Sequence, residues 1–89
     1  MEQPEPAATQ QLIVAIERAA TGSPKSWAIG TTDDPTAQLR MMGDAEGFLS
    51  WRACCPSAGK NVVGYFTGKG MSLYGTCEAR NVHIFIYRL

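Results

Sequence analysis

Apolar residues recur every three to four positions near the start of the chain. They are Leu12, Ile13, Ile16, Ala19 and Ala20. This spacing places them on one face of an α-helix and leaves Glu17 and Arg18 facing water. Thr9 can cap such a helix, and the Thr-Gly-Ser-Pro sequence at 21–24 ends it. The pattern therefore predicts a helix over residues 10–20.

A short apolar run and a second helix follow. Residues 26–31 are apolar enough for a central strand. Asp34 is a typical helix cap, and Pro35 takes the first helical position, where its missing N–H costs nothing. The predicted helix runs to about residue 42 and stops at Gly43.

A second strand and a third helix are predicted next. The strand covers residues 48–54 and is aromatic at Phe48 and Trp51. The helix begins at Pro56, runs for about ten residues, and has Gly70 as its stop. Its apolar stripe is Val62, Val63 and Phe66.

The chain ends on strict alternation, after residues 71–79, which we predict to be a loop. Val82, Ile84 and Ile86 lie on one face of the last strand, and His83, Phe85 and Tyr87 lie on the other. Both faces are largely apolar, which is typical of a central strand covered on both sides. We expect this strand within residues 81–88.

The predicted element order is α-β-α-β-α-β, which makes the fold class α+β. We expect a small two-layer or three-layer sandwich in which three helices pack on a three-stranded sheet. Residues 1–8 form a flexible N-terminal lead-in, and residues 9–89 form a single domain. Trp27 and Trp51, being in strands, should be largely shielded from solvent.

Composition places the chain among small globular proteins. It has 89 residues, of which 45% are hydrophobic and 18% charged. No run approaches the roughly 20 apolar residues of a membrane span. Glu2 and Glu5 stand where a secretory signal would carry basic residues. We therefore expect a cytoplasmic location and no membrane partner.

Charge gives only a weak indication of partners. The formal net charge is zero, but from Arg18 onward eight basic residues face five acidic ones. That excess is too small for the basic stripe expected of a nucleic-acid-binding surface. An ordinary mixed surface is the simpler interpretation.

Three cysteines are present without a framework for disulfides or metal. They are Cys54, Cys55 and Cys77, an odd number in a chain with no export signal. On a strand, the first two would point to opposite faces, and no Cys-x-x-Cys spacing supports zinc. We predict reduced thiols and no bound metal. A cysteine or serine nucleophile needs a base, and His83 is the only histidine, so we do not expect Cys-His catalysis.

Common catalytic motifs are absent from the sequence. It contains no GxxxxGK[ST], GxGxxG or HExxH motif. Gly68-Lys69-Gly70 is too short for a phosphate loop, and a helix end explains its glycines. Asp33 and Asp34 suit a helix N-terminus for dipole reasons alone. We therefore predict no catalytic residues and no cofactor.

The stretch Ile29-Gly30-x-Thr32-x-Asp34-Pro35 resembles the second half of the GIY-YIG nuclease signature. The resemblance covers residues 26–88 and implies a GIY-YIG-like fold. In that family, a strand ends in the sequence Tyr-Val/Ile-Gly-x-Thr, a turn follows, and the next helix supplies a catalytic arginine. A later helix supplies a glutamate that binds a divalent metal.

The family's catalytic positions hold other residues here. Ala28 stands at the tyrosine position, Gln38 at the arginine position and Gly64 at the glutamate position, while Arg40 matches an accessory basic position. Met42 replaces a histidine that often closes the first helix of the motif. Phosphodiester cleavage needs an activated nucleophile, a cation on the phosphate and a metal. The substituted residues supply none of the three.

These observations favour a non-catalytic interaction or binding domain on a degenerate GIY-YIG-like scaffold. We expect a protein partner, with weak nucleic-acid binding as a further possibility. One alternative is a divalent-metal-dependent nuclease that uses substituted residues. Another is a small-molecule-binding protein with an aromatic pocket, formed by Trp27, Trp51, Tyr65 and Tyr87.

The resemblance also predicts where a binding surface would lie. The old catalytic surface would bring together Trp27, Gln38, Arg40, Lys60 and Gly64. Gly64 would leave room for a partner to approach, and the two basic residues would make the surface mildly positive. An anionic peptide or a single nucleic-acid strand would suit it. The alternative is that this surface is merely solvated.

Overall fold

The computed structural model describes residues 8–43, 45–75 and 81–89. Over these residues the chain has three α-helices, one 3₁₀ turn and four strands. They are α1 (Thr9–Ala19), the 3₁₀ turn (Pro24–Ser26), β1 (Trp27–Thr32), α2 (Pro35–Met41), β2 (Leu49–Arg52), α3 (Pro56–Gly68), β3 (Ser72–Tyr74) and β4 (His83–Arg88). The α+β class is therefore confirmed. Most of the predicted lead-in, Asp44, and residues 76–80 with Cys77 lie outside the described residues.

The strands form one mixed sheet in the order β2-β4-β1-β3. β4 pairs antiparallel with both β1 and β2, and β3 pairs parallel with β1. In the central pair, Ile29 lies opposite Ile86 and Gly30 lies opposite Phe85. The last strand of the chain is thus central, as its alternation predicts.

The prediction of three strands is wrong in one respect, because the structure adds a fourth. β3 (Ser72–Tyr74) lies within residues 71–79, for which the sequence predicts a loop. It is three residues long and exposed throughout, so no buried face imposes an alternating pattern on it. Its strand character comes from pairing with β1, where Ser72 lies opposite Ala28 and Tyr74 opposite Gly30.

The hydrophobic core lies between one face of the sheet and the helices α1 and α3. The core residues are Leu12, Ile13, Ile16, Trp27, Ile29, Ala53, Ala58, Val62, Val63, Phe66, Met71, Ile84 and Ile86. The apolar stripes predicted for α1 and α3 both lie in this core. α3 is the element that joins the sheet to α1, since it packs extensively on β1 as well as on α1.

Trp27 is held tightly in this core. It is only 4% exposed, and its Nε1 donates a hydrogen bond of 2.9 Å to the Thr21 carbonyl. The Arg88 guanidinium lies over its ring, 5.2 Å from the ring centroid. Trp51 is half-buried against the edge of the core. The two tryptophans therefore pack as core residues to different degrees.

The helix ends follow the predicted cap chemistry with small corrections. Asp34 Oδ1 accepts a hydrogen bond from the Ala37 N–H at 3.2 Å, and Gly43 follows α2 with a φ of +65°. Thr9, in contrast, is already helical, so it is not the cap of α1. The Gln11 side chain instead accepts a hydrogen bond from the Ala8 N–H, which moves the start of the helix back by one residue.

None of the helices in ranges 8–43, 45–75 and 81–89 has the length and apolar character needed to cross a membrane.

Candidate functional site

Four aromatic residues form a cluster on the face of the sheet opposite the core. Phe85 is completely buried at its centre and stacks on Phe48 with ring centroids 5.4 Å apart. Tyr74 meets the Phe85 ring edge-on at 5.6 Å, and Tyr87 stacks beside Phe85 at 6.3 Å. We call Phe48, Tyr74, Phe85 and Tyr87 the aromatic cluster. It gives the second face of the sheet an apolar surface of its own.

Gly30 makes the aromatic cluster possible. A Cβ atom at this position would lie 2.7 Å from the Phe85 ring and 2.9 Å from the Tyr74 carbonyl oxygen. Both distances are far shorter than a van der Waals contact, so only glycine leaves room for the Phe85 ring. The glycine that contributes to the nuclease-like signature thus has a packing explanation.

β3 is an exposed edge strand with large apolar side chains. Leu73 is 53% exposed on the core side of the sheet, and Tyr74 is 37% exposed on the side of the aromatic cluster. Within the described part of the chain, β3 pairs only with β1. Its outer backbone N–H and C=O groups therefore have no strand partner there.

A pocket of about 230 Å³ lies next to the start of β3. Phe66 and Met71 give it an apolar floor, and Glu17 and Lys69 place one acid and one base at its lining. Met71 immediately precedes β3, so the pocket lies at the N-terminal end of the edge strand. Tyr65, whose ring lies 4.9 Å from Lys69 Nζ, raises the pKa of Lys69 through hydrogen bonding. Lys69 therefore adds a positive charge to the lining of the pocket.

Cys54 and Cys55 form a pair of adjacent thiols between β2 and α3. Their Sγ atoms are 3.5 Å apart, and the Cys55 Sγ lies 3.2 Å from the Ser57 Oγ. This corrects the prediction that Cys54 belongs to a strand and that the two thiols point to opposite faces. β2 ends at Arg52, because the chain turns after Ala53 to begin α3 at Pro56.

The two thiols differ in acidity. Hydrogen bonding to the Ser57 hydroxyl lowers the pKa of Cys55. Hydrogen bonding to Cys55 raises the pKa of Cys54. Cys55 also occupies the N-cap position of α3, where the helix dipole favours negative charge. Cys55 is therefore the thiol that ionises first, with Cys54 as its hydrogen-bond donor.

The structure divides the five residues of the predicted binding surface between the core and two helices. Trp27 is buried in the core and contributes almost no surface. Gln38 is half-buried and Arg40 exposed on α2, while Lys60 and Gly64 are exposed on α3. Among the described residues, α2 and α3 do not pack extensively on each other. A surface shared by the four helical residues stays a prediction.

The aromatic residues suggested for a small-molecule pocket are separated in the structure. Trp27 and Trp51 belong to the core face of the sheet, and Tyr87 belongs to the aromatic cluster on the opposite face. Tyr65 lies on α3 beside Lys69. The described part of the chain also contains no group of three His, Cys, Asp or Glu side chains placed to hold a metal ion.

No protein family model, curated protein or solved structure matches the chain. The candidate site is therefore defined by its geometry alone.

Sequence reasoning missed both β3 and the thiol pair. For the thiols, a signal was present in Cys-Cys-Pro-Ser at 54–57. Proline favours the first helical position, which makes Cys55 the cap and ends the strand before it. For β3, the three-residue Ser-Leu-Tyr sequence gives no comparable signal.

Proposed function

We propose that this chain is a non-catalytic binding domain that takes an extended segment of a partner protein as an additional strand on β3. The observation that carries the proposal is the exposed edge of the sheet at Ser72–Tyr74. An edge strand offers a row of backbone hydrogen-bonding groups, and strand addition satisfies them without requiring a particular partner sequence.

The composition of β3 supports pairing with another chain. Proteins usually protect their sheet edges by keeping the edge strand short, or with proline, lysine, other charges or bulges. Ser72, Leu73 and Tyr74 include none of these residue types. The edge is short, which suits a weak or regulated interaction better than a permanent one.

Side chains on both faces of the edge would supply the specificity. Successive residues of an added strand point to opposite faces. One set would contact Leu73, and the other would contact Tyr74 and the aromatic cluster behind it. A partner residue that pairs near the start of β3 would place its side chain in the pocket over Phe66 and Met71. We therefore expect a partner segment with alternating apolar residues.

The opposite edge of the sheet provides an internal comparison. β2 also has an exposed apolar residue, Leu49, which is 45% exposed. However, β2 ends in Arg52, a charge that discourages edge pairing, and no β2 residue lines the pocket over Phe66 and Met71. Leu49 is therefore a matched position for a control substitution.

The proposal is tested by selecting random linear peptides displayed on phage against the purified chain. Selected sequences are made as synthetic peptides and titrated against the unmodified protein, Leu73→Lys and the control Leu49→Lys. We expect Leu73→Lys to weaken binding roughly tenfold or more, as expected for loss of a central interface contact. Leu49→Lys should leave the dissociation constant within about twofold, since surface changes away from a site have small effects.

Two results would contradict strand addition at β3. One is a selection that yields no peptide with measurable affinity. The other is a set of peptides whose affinity depends equally on Leu49 and Leu73, or on neither. Circular dichroism of both variants should match the unmodified protein, because both leucines are substantially exposed.

A further inference from the structure

The adjacent thiols of Cys54 and Cys55 lie apart from the proposed binding edge. They are in the connection from β2 to α3, whereas β3 is at the opposite edge of the sheet. Cys54 is exposed and Cys55 half-buried, so a small reagent can reach them. The proposed strand addition requires neither residue.

The contacts of the pair make the two sulfurs chemically unequal. The Cys55 sulfur lies at the N-terminus of a 13-residue helix and contacts the Ser57 hydroxyl at 3.2 Å. Pro56 occupies the first position of that helix and brings no N–H of its own. The Cys54 sulfur touches that of Cys55 at 3.5 Å. A thiolate on Cys55 would thus have a protonated thiol in contact with it.

We propose that Cys54 and Cys55 form an oxidation site for hydrogen peroxide or an organic hydroperoxide, with Cys55 as the attacking thiolate and Cys54 as the resolving thiol. A solvent-accessible, ionised cysteine with a second cysteine in reach is the usual arrangement of a redox-sensitive site. Here the contact between the two sulfurs supplies the second requirement.

The reaction balances in two steps. The Cys55 thiolate attacks one peroxide oxygen, the O–O bond breaks, and the other oxygen leaves as water or an alcohol after taking a proton. This leaves a sulfenic acid on Cys55. Cys54 then gives up its proton and attacks the Cys55 sulfur, the S–O bond breaks, and water leaves as the disulfide forms. Two thiols are oxidised by two electrons, and one peroxide is reduced.

The product should be easily reversed. Neighbouring Cα atoms are about 3.8 Å apart across a trans peptide, whereas ordinary disulfides join Cα atoms about 4.4–6.8 Å apart. A disulfide between adjacent cysteines is therefore strained, and strained, exposed disulfides are readily reduced. This behaviour suits a reversible modification rather than a structural bond.

The test uses the full chain carrying Cys77→Ser, so that only the adjacent pair can react. The protein is treated with one equivalent of hydrogen peroxide and digested with trypsin. Cleavage after Arg52 and Lys60 releases residues 53–60 with both cysteines in one peptide. We expect this peptide to become two hydrogens lighter and to recover its mass with dithiothreitol.

Dimedone, which traps sulfenic acids, assigns the roles of the two thiols. After peroxide treatment, the Cys54→Ser variant should carry the dimedone adduct on Cys55. In Cys55→Ser, the adduct on Cys54 should form at least roughly tenfold more slowly. The reason is that the Cys54 thiol has neither the helix N-terminus nor the Ser57 hydroxyl beside it. Ser57→Ala should slow the labelling of Cys55, and the control Ser26→Ala, at an exposed serine before β1, should not change it.

A second assay assigns the more reactive thiol in the protein that retains both Cys54 and Cys55. With limiting iodoacetamide, fragment ions of residues 53–60 should locate most of the alkyl group on Cys55. Preferential reaction of Cys54 in either assay would overturn the proposal. So would oxidation that produces only disulfide-linked dimers, or a pair that stays reduced in excess peroxide.

Discussion

At the scale of single residues, Gly30 and Gly64 both belong to the nuclease-like pattern, but they differ in the space around them. Gly30 lies under the Phe85 ring and has no space for a Cβ atom. Gly64, where the resemblance implies a metal-binding glutamate, lies on an exposed part of α3, and its would-be Cβ has no heavy atom outside its own stretch of helix within 4 Å. The first glycine is fixed by packing, and the second is not.

Substituting each glycine with alanine should therefore change stability in opposite directions. Gly30→Ala should lower the free energy of unfolding by about 1–3 kcal/mol, the usual cost of overpacking. Gly64→Ala should raise it by about 0.5–1 kcal/mol, because alanine is favoured in a helix interior. Urea unfolding measures both changes. An unaffected Gly30→Ala protein would contradict the close packing of the aromatic cluster.

A second prediction at this scale concerns the cap of α3. Cys55 makes no side-chain hydrogen bond that caps the helix, whereas serine is among the best N-cap residues. Cys55→Ser should therefore raise the free energy of unfolding by up to about 1 kcal/mol. Thermal or urea unfolding at neutral pH measures the change. A loss of stability would show that the sulfur contributes packing that the hydroxyl cannot replace.

At the scale of elements, the sequence predicts those parts whose burial is periodic. The stripe of α1 and the alternation of β4 report faces that pack on the core, and Asp34 and Gly43 mark the ends of α2. The sequence does not predict β3, because the strand is exposed and therefore has no periodic pattern of burial. Its strand conformation depends on pairing with β1, which is distant in sequence. The proposed binding edge consequently could not be located before the fold was known.

The same contrast predicts unequal local stability. α2 has no buried residue and does not pack extensively on another described element, whereas β1 is buried along its whole length. Native-state hydrogen exchange should show the α2 amides opening at a lower free energy than those of β1 and β4. Equal protection of α2 and the central strands would show that α2 unfolds only with the whole domain.

At the scale of the whole molecule, the nuclease-like pattern in the sequence does not lead us to predict nuclease activity. Ala28, Gln38 and Gly64 lack the phenol, guanidinium and carboxylate groups that the resemblance implies at their positions. Loss of one electrostatic stabiliser alone typically costs about 10²–10³ in rate. We therefore predict no cleavage of DNA or RNA by the purified protein with magnesium or manganese.

Arg40→Ala is the control for that measurement, because Arg40 matches the accessory basic position. Cleavage by the unmodified protein that disappears in Arg40→Ala would contradict the prediction. Cleavage that persists unchanged in the variant would identify a contaminating nuclease.

The central claim, that β3 accepts a partner strand, is tested most directly by amide hydrogen exchange with a selected peptide bound. Strand pairing places new hydrogen bonds on the outer side of β3, so amides within Ser72–Tyr74 should gain protection when the peptide is added. The amides of β2, at the other edge, should keep their exchange rates. Protection gained only at β2 or on the helices, with β3 unchanged, would contradict the claim.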